Sequence, residues 1–383
     1  MMKSKIVISK GDTYYIKRRG IPEGCKYCLQ GAKAVLFLNG ICQKPDHCSW
    51  YCPISAEKRG KDITFADEIE ITSKEELLEE IEKINAKGIS ITGGEPLVKS
   101  NLDKTYDYIK YIREVKSNRF HIHLYTNGIN FNEVIANKLA KYGLNEIRFH
   151  PPKNNWEIIK KALNKGMSVG AEVPIIPNYE YVKNLEEFII YLDTIGAEFI
   201  NLNEFEFCFP NSQSLKEHGF QLKEGTMAVV KNSKESALDL INKLADKVSI
   251  KIHFCTIRAK DYHQLKNRYF RRAKNIKLPY EEINDDGLLL YGQIEGDKKK
   301  ILILSQYLLS ELKIPSKLLF IEKDKIKLPY YIAIKDELIK FLDNYHLKGY
   351  ILEVLPFRRE IYRQITEKTP IKVFLQEVGI YEN

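Results

Sequence analysis

The sequence predicts an α/β protein: a partial (β/α) barrel followed by a small C-terminal α+β unit. Three observations carry this. Short β-like runs alternate with helical stretches six or seven times between residues 33 and 255, the pattern of a parallel sheet built from βαβ units. The chain has 383 residues, 44 % of them apolar and 29 % charged, enough to bury a sizeable core in two or three domains. Beyond about residue 275 the alternation gives way to loops and mixed elements.

Taken in order, AKAVLFLNG (32–40) reads as a buried strand because it is apolar on both faces and ends at a glycine. TSKEELLEEIEKINAK (72–87) reads as a helix capped by Thr72 or Ser73, with Leu77, Leu78, Ile81 and Ile84 at helical spacing. GISITGG (88–94) is the next strand, followed by a helix near 103–116. Strands follow at RFHIHLYTNG (119–128), NEIRFHP (145–151), MSVGAEVPIIP (167–177), EFINLNEFEF (198–207) and VSIKIHF (248–254). Over some 220 residues such a series closes into a complete or partial barrel. KILILSQYLLSEL, KLLFIEKDKIKLPYYI, DELIKFLDNYH and GYILEVLPF then form the C-terminal unit. The expected partition is a cysteine-containing segment at 1–32, the barrel at 33–275, and an α+β unit at 276–383 that adds recognition surface.

No apolar run reaches the roughly 18–20 residues that cross a bilayer, and the opening MMKSKIVISKGDTYYIKRRG has no apolar core of a secretory signal. A cytoplasmic protein without a membrane partner is expected. The net charge of +9 permits an anionic partner without requiring one. Seven cysteines stand at 25, 28, 42, 48, 52, 208 and 255, five of them within 28 residues. In a reducing compartment such clustering points to metal rather than disulfides.

Cys42, Cys48 and Cys52 follow the first strand, on the face where α/β barrels house their chemistry. Three thiolates on one loop can hold three irons of a four-iron cluster and leave the fourth open to a ligand. The second strand ends in Thr92, Gly93, Gly94, Glu95 and Pro96, where glycines admit a ligand to the backbone, and strand-end carbonyls and a carboxylate can bind an ammonium. The third ends in Tyr125, Thr126, Asn127 and Gly128, a polar set on the same face.

With a cysteine triad after strand one, GGEP after strand two and TNG after strand three, the chain resembles the radical S-adenosylmethionine (SAM) superfamily over about residues 33–255. More narrowly it looks like a group of uncharacterised archaeal radical SAM proteins related to pyruvate formate-lyase activating enzymes, through GCKYCLQGAK, YCPIS, RGKD, LNEFEF and HFC followed by KD and a basic helix. The resemblance implies a radical SAM type of barrel, a [4Fe-4S] cluster on Cys42, Cys48 and Cys52, and SAM as cosubstrate. It places Tyr51 near the adenine, the Gly93–Glu95 backbone on the methionyl amine, and Thr126 and Asn127 as further SAM contacts. It implies a ferredoxin- or flavodoxin-type electron donor, and cleavage of SAM to methionine and a 5′-deoxyadenosyl radical that abstracts hydrogen from a substrate. The spacing here, C-x5-C-x3-C, departs from the superfamily's commonest C-x3-C-x2-C and leaves the choice of ligands less fixed.

Four cysteines remain. Cys25-Lys-Tyr-Cys28 has the spacing of zinc or iron–sulfur ligation, and Cys208 and Cys255 each follow a strand. An auxiliary iron–sulfur cluster on Cys25, Cys28 and Cys255, with Cys208, is one reading. Structural zinc is a second, and buried inert thiols are a third. The strand after Cys28 spans roughly 23 Å, which sets it on the opposite face from Cys255 unless the N-terminal segment folds back. His150, Glu172, Asn203, Glu204 and Glu206 are polar residues on otherwise apolar strands. Period-two alternation puts Asn203 on a different face from Glu204 and Glu206, so the three are not expected in one site.

Residues 251–280 hold nine Lys and Arg against Asp261, with Tyr262, Tyr269 and Tyr280 interleaved. That composition suits RNA, arginines on phosphate and tyrosines on bases, or else a solvated helix. Arg358 and its neighbours around LPF read as surface ion pairs. The substrate leans toward a macromolecule, RNA or protein, over a metabolite. The rival reading from another class is a non-redox zinc protein that docks RNA through 251–280.

Overall fold

The computed structural model describes residues 6–9, 11–43 and 47–379; residues 1–5 of the opening segment and 44–46 of the cysteine loop lie outside them. The chain divides into two compact units, Met1–Asn267 and Arg268–Asn383.

The first unit begins with a hairpin, β1 (Ile6–Ile8) and β2 (Thr13–Ile16), and a short helix α1 (Glu23–Leu29). The central series runs β3 (Lys33–Phe37), the hairpin β4 (Thr64–Ala66) and β5 (Ile69–Ile71), α2 (Lys74–Lys83), β6 (Gly88–Thr92), α3 (Leu102–Val115), β7 (His121–Thr126) and α4 (Glu133–Lys141). It continues with β8 (Glu146–Phe149), β9 (Ser168–Ile175), α5 (Tyr179–Thr194), β10 (Phe199–Glu204), α6 (Ser212–Glu217), α7 (Ser233–Leu244), β11 (Lys251–Cys255) and α8 (Leu265–Ile276). Every strand read from the sequence is present within a few residues. Ser73 caps α2 by accepting from Glu76 N, and Leu77, Ile81 and Ile84 are its buried stripe.

The sheet runs β1-β2-β11-β10-β9-β8-β7-β6-β3-β4-β5. From β3 to β11 its seven strands are parallel and in chain order, the arrangement of a partial barrel. Antiparallel hairpins flank both ends: β2 pairs β11, and β4 pairs β3.

Alternation along the strands sorts the side chains. Ile89, Ile91, Ile122, Leu124, Ile147, Phe149, Ile200, Leu202, Ile252 and Phe254 are fully buried on one face. The other face, the barrel lumen, carries His121, Glu146, Arg148, Glu172, Asn201, Asn203 and His253, joined by hydrogen bonds and ion pairs, and His123, which burial holds neutral beside Glu146. A polar lumen must satisfy its own groups, and these do so largely among themselves.

Segment 1–32 lies within this unit. Its hairpin extends the sheet, and α1 lodges against the lumen. Gly24 N donates to Glu146 (3.2 Å), and a Cβ at Gly24 would lie 2.4 Å from His123 Nδ1, so only glycine fits there. The two units divide after Asn267, in the first turn of α8, eight residues before the expected 275 in that same helix.

The second unit is an antiparallel sheet with helices. It contains β12 (Glu282–Ile283), β13 (Leu289–Glu295), α9 (Lys298–Gln306), β14 (Phe320–Ile321), β15 (Lys325–Leu328), α10 (Tyr330–Ala333), α11 (Asp336–Asn344), β16 (Lys348–Val354), β17 (Ile365–Pro370) and α12 (Ile371–Glu377). The order is β14-β15-β13-β16-β17, with β12 on β13. Ile294, Leu304, Leu308, Ile326, Leu338 and Leu375 form its core. Arg358 is not in a surface ion pair: with Arg363 it grips Glu281, which is fully buried. Among the described residues no helix is long and apolar enough to cross a membrane.

Candidate active site: a cysteine-lined cavity at the strand ends

Past β3 the chain stays extended beside the end of β6. Leu38 N donates to Thr92 O (2.8 Å), Gly94 N to Asn39 O (2.7 Å) and Glu95 N to Ile41 O (2.8 Å). That seam sets Cys42 next to the glycine pair. Neither glycine tolerates a side chain. Gly93 sits at φ +142°, and a Cβ on Gly94 would lie 2.2 Å from Ile41 O. Asn101 locks the seam, donating to Glu95 O (2.9 Å) and Asn39 Oδ1 (3.0 Å), and is itself buried.

Cys42, Cys48 and Cys52 line one cavity of about 410 Å³ with Tyr51, Gly93, Gly94, Glu95, Thr126 and Asn127. The structure thus brings every residue of the expected cluster and SAM set to a single wall. The loop is held from outside as well. Arg59 donates to Cys52 O (3.2 Å) and Asn211 to Tyr51 O (3.1 Å), while Trp50 stacks on His218 with ring centroids 4.3 Å apart. Tyr51 packs on Phe205 and shares a hydrogen bond of 2.9 Å with His150 Nε2. Burial, with His47 nearby, pushes His150 down to about 3, so it is a neutral partner at pH 7.

The carboxylate of Glu95 does not face the cavity. It accepts from Thr126 Oγ1 (2.7 Å), Asn127 N (2.7 Å) and Leu97 N (2.9 Å), tying the end of β6 to the end of β7. Burial raises it to about 6 despite those donors. Of the ammonium acceptors read from the sequence, only the strand-end backbone carbonyls remain.

Arg148, His150, Glu172, Asn203, Glu204, Glu206 and Lys260 also line the cavity. Asn203 and Glu204 are consecutive in β10 and, as period two expects, their side chains have different partners: Asn203 donates to Glu172 in the lumen (2.9 Å), whereas Glu204 accepts from Ile257 N (2.9 Å). Glu206 lies past the end of the strand and pairs with Lys260. Sequence reasoning missed Arg148, a charge inside an apolar-looking strand, and Lys260, which pairs with Glu206 at 3.4 Å.

The other cysteines divide. Asn211 ties the backbone at Cys208 to that at Tyr51, so Cys208 belongs to the loop region around the cysteine triad. Cys25 lies inside the barrel, accepting from Arg148 Nη2 (3.4 Å) and donating to Asn201 Oδ1 (3.7 Å). The N-terminal segment has folded back, which removes the distance objection to Cys28 and Cys255. Cys255 accepts from Gln264 (3.4 Å), and burial raises the Cys25, Cys28 and Cys255 thiols. Among the described residues no three His, Cys, Asp or Glu side chains converge on a single-ion site.

The basic stretch is largely engaged within the protein. Arg258 pairs with Asp12 (3.0 Å), Lys260 with Glu206 and Lys277 with Glu282 (3.0 Å), and Arg272 is buried over the Phe357 ring.

Residues 15–189 match the family model described as the radical SAM superfamily. A protein of Methanocaldococcus jannaschii, named provisionally as a glycyl-radical enzyme activating enzyme, is 40 % identical over 285 residues, 71 % of this chain and 73 % of that protein. This chain belongs to the radical SAM superfamily. It is accordingly an enzyme of that superfamily, whose chemistry uses a [4Fe-4S] cluster and SAM. Among solved structures, the radical SAM methyltransferase TsrM from Kitasatospora setae aligns at a TM-score of 0.35 with tryptophan and a SAM analogue bound, at 13 % identity, over 53 % of this chain and 42 % of that one. The same enzyme with cobalamin and a [4Fe-4S] cluster aligns at 0.34 and 14 % identity, over 55 % and 43 %. Likeness at that level bears on neither substrate nor reaction.

Proposed function

We propose that Cys42, Cys48 and Cys52 hold the [4Fe-4S] cluster, that the cavity beside them binds SAM, and that the enzyme abstracts hydrogen from a glycyl residue of a partner protein in a reducing cytoplasm. The observation that carries the reading is that three loop thiols and a glycine backbone cradle line the same cavity. The donor set fits the group: three thiols from one loop leave one corner of a cube open, and the glycines let a ligand approach the backbone. When bound, the cluster and SAM supply a 5′-deoxyadenosyl radical, given an electron from a ferredoxin- or flavodoxin-type donor.

The chain's own residues do the rest. Gly93 and Gly94 present backbone carbonyls where an ammonium can dock. Thr126 and Asn127 are fixed by Glu95 at the next strand end, and Tyr51, backed by Phe205 and His150, offers a ring to the adenine. The glycyl substrate class rests on the provisional name of the Methanocaldococcus relative. Cys25 and Cys255 are engaged with Arg148, Asn201 and Gln264, which favours the inert-thiol reading over an auxiliary cluster or zinc. Superfamily membership and the internal pairing of the basic stretch leave no support for a zinc protein that docks RNA.

Anaerobic reconstitution tests the proposal. The protein should take up about four irons, absorb near 400 nm as four-iron proteins do, and form 5′-deoxyadenosine from SAM with dithionite. Replacing Cys42, Cys48 and Cys52 together with alanine should abolish both iron uptake and product. A variant that still binds four irons would overturn the ligand assignment.

A further inference from the structure

The cavity has a polar floor that neither the cysteine wall nor the glycine cradle explains. Glu172, on β9, is built into it from both sides. Its Oε2 accepts from Arg148 Nη1, and its Oε1 accepts from Asn203 Nδ2 at 2.9 Å. Each support is itself fixed. Arg148 is 2 % exposed, bound on its far side by Glu146 (Nε to Oε1, 2.6 Å) and flanked by the Tyr125 and Phe199 rings. Asn203 cannot flip its amide, because Asn201 Nδ2 donates to its Oδ1 (3.2 Å), and Asn201 Oδ1 in turn accepts from His253. The Glu172 side chain keeps 13 % of its surface open and lines the cavity.

A carboxylate offers about four lone-pair sites and no donor. With two of them filled from below, Glu172 presents its remaining acceptor capacity upward, in a fixed orientation and away from bulk water. Arg148 offsets its charge, and Lys33, through His121, sits beside Glu146, so the position suits a neutral N–H over a second cation. Preorganised hydrogen-bond acceptors of this kind hold a reacting group in place better than mobile ones.

We infer that Glu172 is the acceptor that positions the substrate, binding a backbone amide N–H next to the carbon that loses hydrogen, and that Arg148 and Asn203 act through it as positioning residues. This rests on the proposed function and specifies which group meets the peptide.

The experiment uses the full chain, reconstituted anaerobically with iron, sulfide, SAM and dithionite, and N-acetyl-triglycinamide deuterated at its α-carbons as probe. Abstraction breaks one Cα–D bond, places that deuterium on the 5′ carbon of 5′-deoxyadenosine, and leaves the unpaired electron on the peptide carbon. The quantity read is the fraction of 5′-deoxyadenosine that carries deuterium. A general structural defect lowers total product and leaves this fraction alone. Loss of substrate positioning lowers the fraction itself.

Glu172→Gln should lower the fraction at least tenfold relative to wild type, and Asn203→Ala at least threefold. An unchanged fraction in Glu172→Gln overturns the inference while the proposed function stands. If that variant does not fold, an unchanged fraction in Asn203→Ala does the same. Wild type that forms 5′-deoxyadenosine without deuterium overturns the amide class, and the inference with it. Wild type that forms no 5′-deoxyadenosine sinks the proposed function itself.

Discussion

Glu95 is a carboxylate that is 1 % exposed and held by three neutral donors, Thr126, Asn127 and Leu97. Burial dominates, and its pKa rises from 4.5 to about 6. A raised carboxylate binds its proton more tightly in the folded state, so its contribution to stability is greatest below pH 4.5 and falls as pH rises to 6. The shift corresponds to about 2 kcal/mol. Glu95→Gln removes the titration but turns an N–H toward one of the three donors, at a cost of about 1–3 kcal/mol. The stability of wild type minus that of the variant, from urea unfolding, should therefore shrink by about 2 kcal/mol in all between about pH 3 and 7.5, most steeply from about pH 4.5 to 6, and then level off. A difference that is flat in pH would contradict the burial argument.

Elements were legible where one face of a strand is apolar and the next helix carries a capped stripe, as in 88–94 and 72–87. α1 was not, and the reason is physical. It packs against a polar lumen, so EGCKYCL shows no hydrophobic period and its two cysteines read as a ligand pair. β2 was missed because TYYI is too short to show alternation, and its place is set by pairing with β11, far along the chain. The cysteine loop and GGEP were legible as separate motifs; the seam between them was not, since Asn39 and Asn101 carry no local signal. That seam makes a prediction. Gly94→Ala puts a methyl 2.2 Å from Ile41 O, and only backbone can give way there. The variant should keep its helix content by circular dichroism yet retain less than half the wild-type iron after reconstitution. Full iron retention would show that the seam does not govern the loop.

Across the whole molecule, each unit has its own core and its own buried charge arrangement. In the C-terminal unit Glu281 holds Arg358 and Arg363, the latter through a contact of 2.6 Å. Removing one partner of a buried charged group typically costs 3–5 kcal/mol, and with Arg358 about a third exposed the lower end, about 3 kcal/mol, applies here. Glu281→Ala should lower the unfolding midpoint of residues 268–383, seen as new proteolytic cuts confined to that range on heating. Cuts spread evenly over both units would argue against independent cores. This arrangement was invisible in the sequence, because Glu281 and the two arginines stand some eighty residues apart.

The chain has two tryptophans, and they occupy different settings. Trp50 lies on the loop between two of the three triad cysteines, against His218 and Phe220, whereas Trp156 rests on Phe188 and Tyr191. With a cluster on Cys42, Cys48 and Cys52 as proposed, light emitted by Trp50 would overlap the absorption band of a chromophore a few residues away. Trp50 would then be an optical gauge of metallation, readable in the intact, unlabelled protein.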